Sequence, residues 1–225
     1  LVKQIAENAT KPTRKHPYVT PEYFVEEGET FLKTPEGDMP IEVFGEHNLN
    51  NLAGAKWICQ HMGIDEEDFY EAIATFSGAS KRLEKISDIR GTLAFKDFAH
   101  SPSKVRATTE AVKQQYPEKD LVACLELHTY SSLNAEFLQQ YKDSLAAADK
   151  AIVFYSPEAV QLKKLQEIDT KQIEDAFQHK NLKVYTNPQL FQEYLKTGGF
   201  TNSVILFMSS GNYGGLDFDQ VKEWI

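Results

Sequence analysis

Four stretches of this chain combine residue types that could do chemistry at spacings that would let them act together. The first, Gly45-Glu46-His47-Asn48-Leu49-Asn50-Asn51, sets two carboxamides three residues apart. On a helix Asn48 and Asn51 share a face, and each offers a donor and an acceptor suited to a purine edge or a ribose. His47 sits beside them, and the helix N-terminus adds unpaired N–H groups and positive dipole. The same residues serve equally as a capped helix start, since Asn is a favoured N-cap and His47 can simply pack. The second stretch, Phe76-Ser77-Gly78-Ala79-Ser80-Lys81-Arg82-Leu83-Glu84, places two cations after a helix end. A guanidinium there can bridge phosphates with its planar fork, although cations favour helix C-termini in any case.

The third stretch is Lys96-Asp97-Phe98-Ala99-His100-Ser101-Pro102-Ser103. An acid ending a strand, as Asp97 would, can accept from ribose hydroxyls or an amine. Pro102 suits a first helical position and Ser101 an N-cap, so a capped helix with an incidental His100 is the plainer reading. The fourth, Leu206-Phe207-Met208-Ser209-Ser210-Gly211-Asn212-Tyr213-Gly214-Gly215, follows a core strand with glycines and hydroxyls that let backbone N–H groups approach a ligand. A flexible surface loop would read the same way.

The elements that must position these residues come in two kinds. Residues 1–22 are polar, contain Pro12, Pro17 and Pro21, and have little to pack. Tyr23–Val25, Thr30–Leu32 and Ile41–Phe44 are short β-rich runs separated by turn sequences, which predicts an antiparallel meander. Leu49, Leu52, Ala53, Trp57 and Ile58 recur at helical spacing up to Gly63. Asp65 is then expected to cap a second helix carrying Phe69, Ile73 and Phe76. Beyond Ile89-Arg90-Gly91 the pattern alternates. Strands are expected at Thr92–Phe95, Leu121–Leu127, Ala151–Tyr155, Leu182–Tyr185 and Val204–Met208. Helices are expected at Pro102–Gln115, Ala135–Ala147, Thr170–Phe177, Pro188–Leu195 and Asp217–Ile225. Runs apolar on both faces, such as Leu121-Val122-Ala123-Cys124-Leu125, belong to parallel strands covered on both sides. The fold class is therefore α/β, with a Rossmann-like, doubly wound, mostly parallel sheet. The boundary is expected near residues 83–91, dividing the chain into 1–84 and 85–225. In such sheets ligands bind beyond the carboxyl ends of the strands, which singles out the loops Asp97–Ser103, His128–Ser132 and Ser209–Gly215.

Bulk properties narrow the partners. Across 225 residues the formal net charge is −9, which argues against nucleic acid as a partner, since that needs clustered cations. No stretch of about 18 apolar residues occurs, so no membrane span is expected. Cys59 and Cys124 stand far apart in apolar surroundings, as reduced, buried thiols of a cytoplasmic protein do. No Cys/His cluster has metal spacing, and no Gly-x-x-x-x-Gly-Lys-[Ser/Thr] phosphate loop occurs. The start at Leu1, without Met, suggests a fragment. Oligomeric state is not legible.

Taken in order, the four stretches resemble the Mur ligase family from about Tyr23 to the end. Its Gly-x-His-Asn-x-x-Asn-x-x-Ala pattern is matched by Gly45, His47, Asn48, Asn51 and Gly54-Ala55, with Gly54 in place of the first Ala. Its Phe-x-Gly-x-x-Arg-Arg pattern is matched by Phe76, Gly78, Lys81 and Arg82, the first Arg being Lys. Its Asp-aromatic-small-His-His-Pro-Thr segment is matched by Asp97 to Ser103, with Ser101 for the second His. The resemblance implies the helical and β-meander end of a central ATP-binding domain followed by the complete C-terminal domain. It also implies ATP and Mg²⁺ as cofactors, and a carboxylate activated as an acyl phosphate before an amine displaces phosphate. His47, Asn48 and Asn51 would then contact the adenine side of ATP, Arg82 the phosphates and Asp97 the ribose. His100, Ser101, His128, Tyr130 and Ser131, with Ser209, Ser210, Gly211 and Asn212, would line the site of the incoming amino acid or peptide.

Two kinds of family member look nearest, both acting on UDP-N-acetylmuramate. One adds L-alanine and the other adds a recycled tripeptide, L-alanyl-γ-D-glutamyl-meso-diaminopimelate. The Asp97–His100 and Phe207–Gly215 phrases look more like the second, while Leu127–Ser132 lacks the arginine both carry there. No catalytic residue and no metal ligand is expected within these residues, and the piece alone is expected to be inactive. Two other classes compete: a non-catalytic nucleotide-binding module, and a nicotinamide-dependent oxidoreductase, whose Gly-x-Gly-x-x-Gly is absent after the strand at Phe95.

Overall fold

The computed structural model describes residues 2–11 and 14–225; Leu1 and Pro12 of the polar N-terminal stretch lie outside the described residues. The chain forms two compact units, one of residues up to Phe24 with Thr30–Phe76 and one of Val25–Glu29 with Ser77–Ile225.

A short helix, α1 (Val2–Glu7), occupies the stretch expected to hold little structure. The meander follows as β1 (Tyr23–Glu26), β2 (Glu29–Thr34) and β3 (Gly37–Ile41), in that order across one sheet. β3 starts earlier than its sequence suggests. The β2–β3 turn is only Pro35-Glu36, so Gly37 pairs with Thr34 and the strand ends at Ile41 instead of beginning there. Helices α2 (Glu46–His61) and α3 (Glu66–Ala74) complete this unit, and Leu49, Leu52 and Phe69 pack with Leu32 and Ile41. Asp65 caps α3 as its spacing predicts, accepting from Asp68 N at 2.9 Å. Trp57 and Ile58, on the same apolar pattern as Leu49, are exposed, as is Phe76 beyond the end of α3.

The second unit is built on six strands: β4 (Glu84–Ile89), β5 (Thr92–Asp97), β6 (Asp120–Glu126), β7 (Lys150–Phe154), β8 (Leu182–Tyr185) and β9 (Ser203–Met208). Their order is β4-β5-β9-β6-β7-β8. β4 pairs antiparallel to β5, and every other neighbouring pair is parallel. The connecting helices are α4 (Pro102–Gln115), α5 (Ala135–Leu138), α6 (Pro157–Leu162), α7 (Thr170–Phe177), α8 (Pro188–Thr197) and α9 (Phe218–Trp224). β9 is buried along its whole length, as expected of a central strand covered on both faces. Val122, Cys124, Ile152, Phe154, Ile205 and Phe207 form the core under α8 and α9; burying each large side chain contributes about 1.5–3 kcal/mol.

In this second unit three elements depart from the sequence reading. β4 was not expected. It is an edge strand of alternating burial joined to β5 by Arg90-Gly91, both at positive φ (53° and 79°), the pattern of a two-residue hairpin loop. Residues 135–147 do not form one helix: α5 gives way to a short 3-10 turn, Gln139–Tyr141, and Asp143 at φ 58° stops it. α6 was missed although Ser156-Pro157 is a cap-plus-proline start, with Ser156 Oγ accepting from Ala159 N at 3.2 Å.

Candidate substrate site at the carboxyl edge of the sheet

β9 returns to lie between β5 and β6, and in a parallel sheet all three strands end at one edge. The loops after β5, β9 and β6 are therefore neighbours, and these are the three loops that the strand–helix alternation singles out. Ser209 N donates to Asp97 O at 3.0 Å, joining the first two.

The centre is Glu126, the last residue of β6, with 4% of its side chain exposed. Its Oε2 accepts from Tyr213 N at 2.9 Å and from Ser209 Oγ. Ser209 Oγ in turn accepts from Gly211 N at 2.6 Å. Oε1 lies 3.8 Å from His128 Nδ1. Sequence reasoning missed Glu126 by counting it into an apolar run. The signal was present: a lone acid at the carboxyl end of a core strand, the argument applied to Asp97.

The glycine-rich loop is pinned rather than flexible. Tyr213 is buried, packs near Phe154, Phe191 and Phe207, and its hydroxyl donates to Cys124 O (2.7 Å) and Met208 O (2.9 Å). Burial pushes that hydroxyl well above the ordinary tyrosine range, with Cys124 and Glu126 adding to the effect, so it stays a donor. Gly211 is required by proximity: a Cβ there would lie 2.7 Å from Glu126 Oε2 and 2.9 Å from His128 Cγ. Ser210 Oγ is buried with no hydrogen-bond partner among the described residues, the condition of a group that a ligand can satisfy. Asn212 is exposed and spends its side-chain oxygen on Gly215 N at 3.2 Å.

The β6 loop is organised by Thr129 and Ser132, which exchange side-chain and backbone hydrogen bonds. Ser131 meets Thr129 Oγ1 at 3.2 Å, and Tyr130 stands exposed with Lys163 Nζ 5.4 Å from its ring centre. In the β5 loop, His100 Nδ1 lies 2.8 Å from Phe98 O, and Tyr141 donates to His100 O. Ser101 occupies the N-cap position of α4, but its side chain makes no capping hydrogen bond.

Asp97 is placed differently from a residue reaching outward. It is buried; Oδ2 accepts from Leu83 N at 2.9 Å and Oδ1 from Ala99 N at 2.7 Å. Phe98 N donates to Lys81 O at 2.9 Å, so the two bonds tie residues 81 and 83 to the end of β5. Arg82, between them, is exposed with its guanidinium 5.8 Å from the Phe98 ring centre. Lys81 N donates to Glu84, and this bond outweighs burial to hold the Glu84 carboxyl below its ordinary range. Residues 77–84 fall within the second compact unit.

The carboxamide pair lies in the first unit. Gly45, at φ 88°, is the N-cap of α2, so Asn48 is the third helical residue rather than the cap. Asn48, half-buried, donates from Nδ2 to Phe44 O at 3.0 Å; Asn51 is exposed, and His47 is half-buried. Among the described residues no three of His, Cys, Asp and Glu come together as a metal would need. No described helix is long and apolar enough to cross a membrane.

Residues 81–211 match the family described as Mur ligase, glutamate ligase domain. Among curated relatives, a UDP-N-acetylmuramate–L-alanine ligase of Agathobacter rectalis is 29% identical over 192 residues, covering 84% of this chain and 41% of that protein. One from Gloeothece citriformis is 31% identical over 187 residues, covering 78% and 36%. This chain thus spans less than half the length of these relatives. Among solved structures, the UDP-N-acetylmuramate–alanine ligase of Thermotoga maritima superposes with a TM-score of 0.64 at 16% identity, covering 90% of this chain and 43% of that one. A murein peptide ligase from Psychrobacter arcticus gives 0.56 at 20% identity, covering 87% and 41%. These likenesses speak to the fold, and it is the mostly parallel sheet with its helices that they share. With more than half of its residues inside the family's domain, the chain belongs to the Mur ligase family.

Proposed function

We propose that these residues hold the incoming amine, and part of the nucleotide, for an ATP-dependent ligase that joins UDP-N-acetylmuramate to a cell-wall peptide through an acyl phosphate. The observation that carries the reading is the meeting of the β6 and β9 loops on Glu126, with the β5 loop joined to the β9 loop through Ser209 N and Asp97 O. It leaves an imidazole (His128), an unpartnered hydroxyl (Ser210) and a pinned glycine backbone at one edge, which is the equipment for orienting an amine and its neighbouring carbonyl.

In this reading ATP would draw on Asn48, whose Nδ2 is bonded to Phe44 O at the start of α2, and on the exposed Arg82, whereas Asp97 has two of its roughly four lone-pair sites occupied by backbone. ATP supplies the phosphoryl group that activates the carboxylate. Mg²⁺ would be held by residues other than these, together with the phosphate loop. The 225 residues alone are accordingly expected to show no ATP turnover.

A second reading has a specific observation behind it: the relatives from A. rectalis and G. citriformis are named for L-alanine as the amine. The two readings separate in one assay. The full-length gene product is given ATP, UDP-N-acetylmuramate and either L-alanine or L-alanyl-γ-D-glutamyl-meso-diaminopimelate, and phosphate release and product mass are followed. The peptide reading expects the tripeptide to be the faster substrate at equal concentration. Preference for free alanine overturns it.

A further inference from the structure

The two oxygens of the Glu126 carboxylate do different work. Oε2 is taken by Tyr213 N and Ser209 Oγ, while Oε1 faces His128 Nδ1 at 3.8 Å and no other donor among the described residues. The loops 97–103, 128–132 and 209–215 contain no Lys or Arg. Among the described residues His128 is the only ion-pair partner that Glu126 has.

The imidazole is oriented from two sides. A Cβ on Gly211 would lie 2.9 Å from His128 Cγ and 3.0 Å from Nδ1, so the glycine backbone packs against the Nδ1 edge of the ring. That edge lies between the carboxylate and the glycine-rich loop. With 43% of the side chain exposed, the Nε2 edge is the one left to a ligand. An ionised carboxylate only accepts, so it selects the neutral ring with its proton on Nδ1 and a lone pair on Nε2. The 3.8 Å separation is longer than a hydrogen bond, and catalytic hydrogen bonds commonly tighten when substrate docks.

We infer that His128 is the base that takes a proton from the incoming ammonium, and that Glu126 is its positioning residue. The inference rests on the reading of this edge as the amine site. An α-amino group arrives mostly protonated at neutral pH and then has no lone pair with which to attack. One proton passes from the ammonium to His128 Nε2. The freed amine attacks the carbonyl carbon of the acyl phosphate, and phosphate leaves with the electron pair of the broken C–O bond. The proton still in excess on the new amide nitrogen goes to the departing phosphate. Glu126 offsets the charge of the imidazolium until it returns its proton to solvent.

Glu126→Gln is the diagnostic variant. Tyr213 N and Ser209 Oγ both donate, so they hold the amide oxygen where Oε2 stands and turn its NH2 toward His128. A donor there drives the ring proton to Nε2 and removes the lone pair that the ammonium needs. Long-range proton–nitrogen NMR correlation on the 225-residue chain reads the tautomer. Neutral His128 should carry its proton on Nδ1 in the wild type and on Nε2 in Glu126→Gln. In the full-length gene product, kcat with whichever amine it uses should fall at least about a hundredfold in Glu126→Gln and in His128→Ala, the lower end of what a general base contributes. The loss should lie in kcat rather than in the KM of the amine. His128 is exposed enough to be replaced without disturbing the core, so His128→Ala carries the kinetic test if Glu126→Gln misfolds. A proton on Nε2 in the wild type overturns the role of Glu126. A kcat close to wild type in His128→Ala overturns the base and leaves the amine site standing. No amide formation by the full-length wild type with either amine overturns both.

Discussion

A carboxylate with 4% exposure needs its lone pairs engaged, and Glu126 engages them with the very groups that shape the site. Removing it leaves the Ser209 hydroxyl and the Tyr213 N–H without an acceptor in a dry environment. Glu126→Ala is therefore expected to cost about 3 kcal/mol in urea denaturation, and Glu126→Gln, which keeps one acceptor oxygen, about 1 kcal/mol. A loss below 0.5 kcal/mol for the alanine variant, on the order of a neutral surface change, would mean the cluster is solvated. Gly211 separates positioning from stability. Its backbone φ is not in the left-handed region, so alanine is unwelcome only because its Cβ would press on Glu126 Oε2 and His128. Gly211→Ala should thus displace the imidazole and weaken amine binding by about tenfold, for a stability cost of about 1 kcal/mol. Titration beside a melting curve reads the two effects separately.

The hairpin of β4 and β5 is held by a loop in which both residues have positive φ, and Arg90 occupies a position that Asn or Gly takes at lower cost. Arg90→Asn should stabilise the second unit by about 0.5 kcal/mol and Gly91→Ala should destabilise it by about 1 kcal/mol, both measurable as shifts in melting temperature. At the amino ends of β6 and β7, Asp149 accepts from Leu121 N (2.8 Å) and Lys113 Nζ (3.0 Å), pinning β6, β7 and α4 together. Burial raises its pKa, but those two bonds outweigh burial and leave it below 3.8. A depressed carboxyl stabilises above its unfolded value and loses that contribution as pH falls through the lowered one. Being 42% exposed, it is screened and worth well under 1 kcal/mol. Asp149→Asn should lower stability slightly at neutral pH and flatten the acid limb below about pH 4. Elements with strong local punctuation were legible in the sequence. α4 starts at Pro102 as expected, and α7 starts where Asp169 and Gln172 form a reciprocal capping box. What escaped depends on partners distant in sequence. β4 alternates too weakly to be read without β5 beside it, the helix after Ala135 is cut short where Asp143 N turns to Phe177 O, and Glu126 matters only because β9 returns next to β6. The same topology is why the three loops could be named in advance while the carboxylate that organises them could not.

Across the whole chain, the two cysteines report on different units. Cys59 is half-buried on α2, in the first unit, and Cys124 lies fully buried at the middle of β6, in the second. The thiolate is the reactive form, and burial pushes the Cys124 thiol far above its ordinary value. Native protein should therefore lose one thiol readily to an alkylating reagent and the second only through opening of the second unit. A peptide bound at the carboxyl edge stabilises the folded form of that unit by mass action, by about 2.7 kcal/mol at a hundredfold excess over its Kd. When opening and reclosing outpace alkylation, the rate at Cys124 follows the open population and should fall about a hundredfold. Cys59, outside the unit that holds the peptide, is the internal control and should react at its former rate. Protection of Cys59 alone would move the peptide to the first unit, and an unchanged rate at Cys124 under saturating tripeptide would show that the carboxyl-edge loops do not hold it.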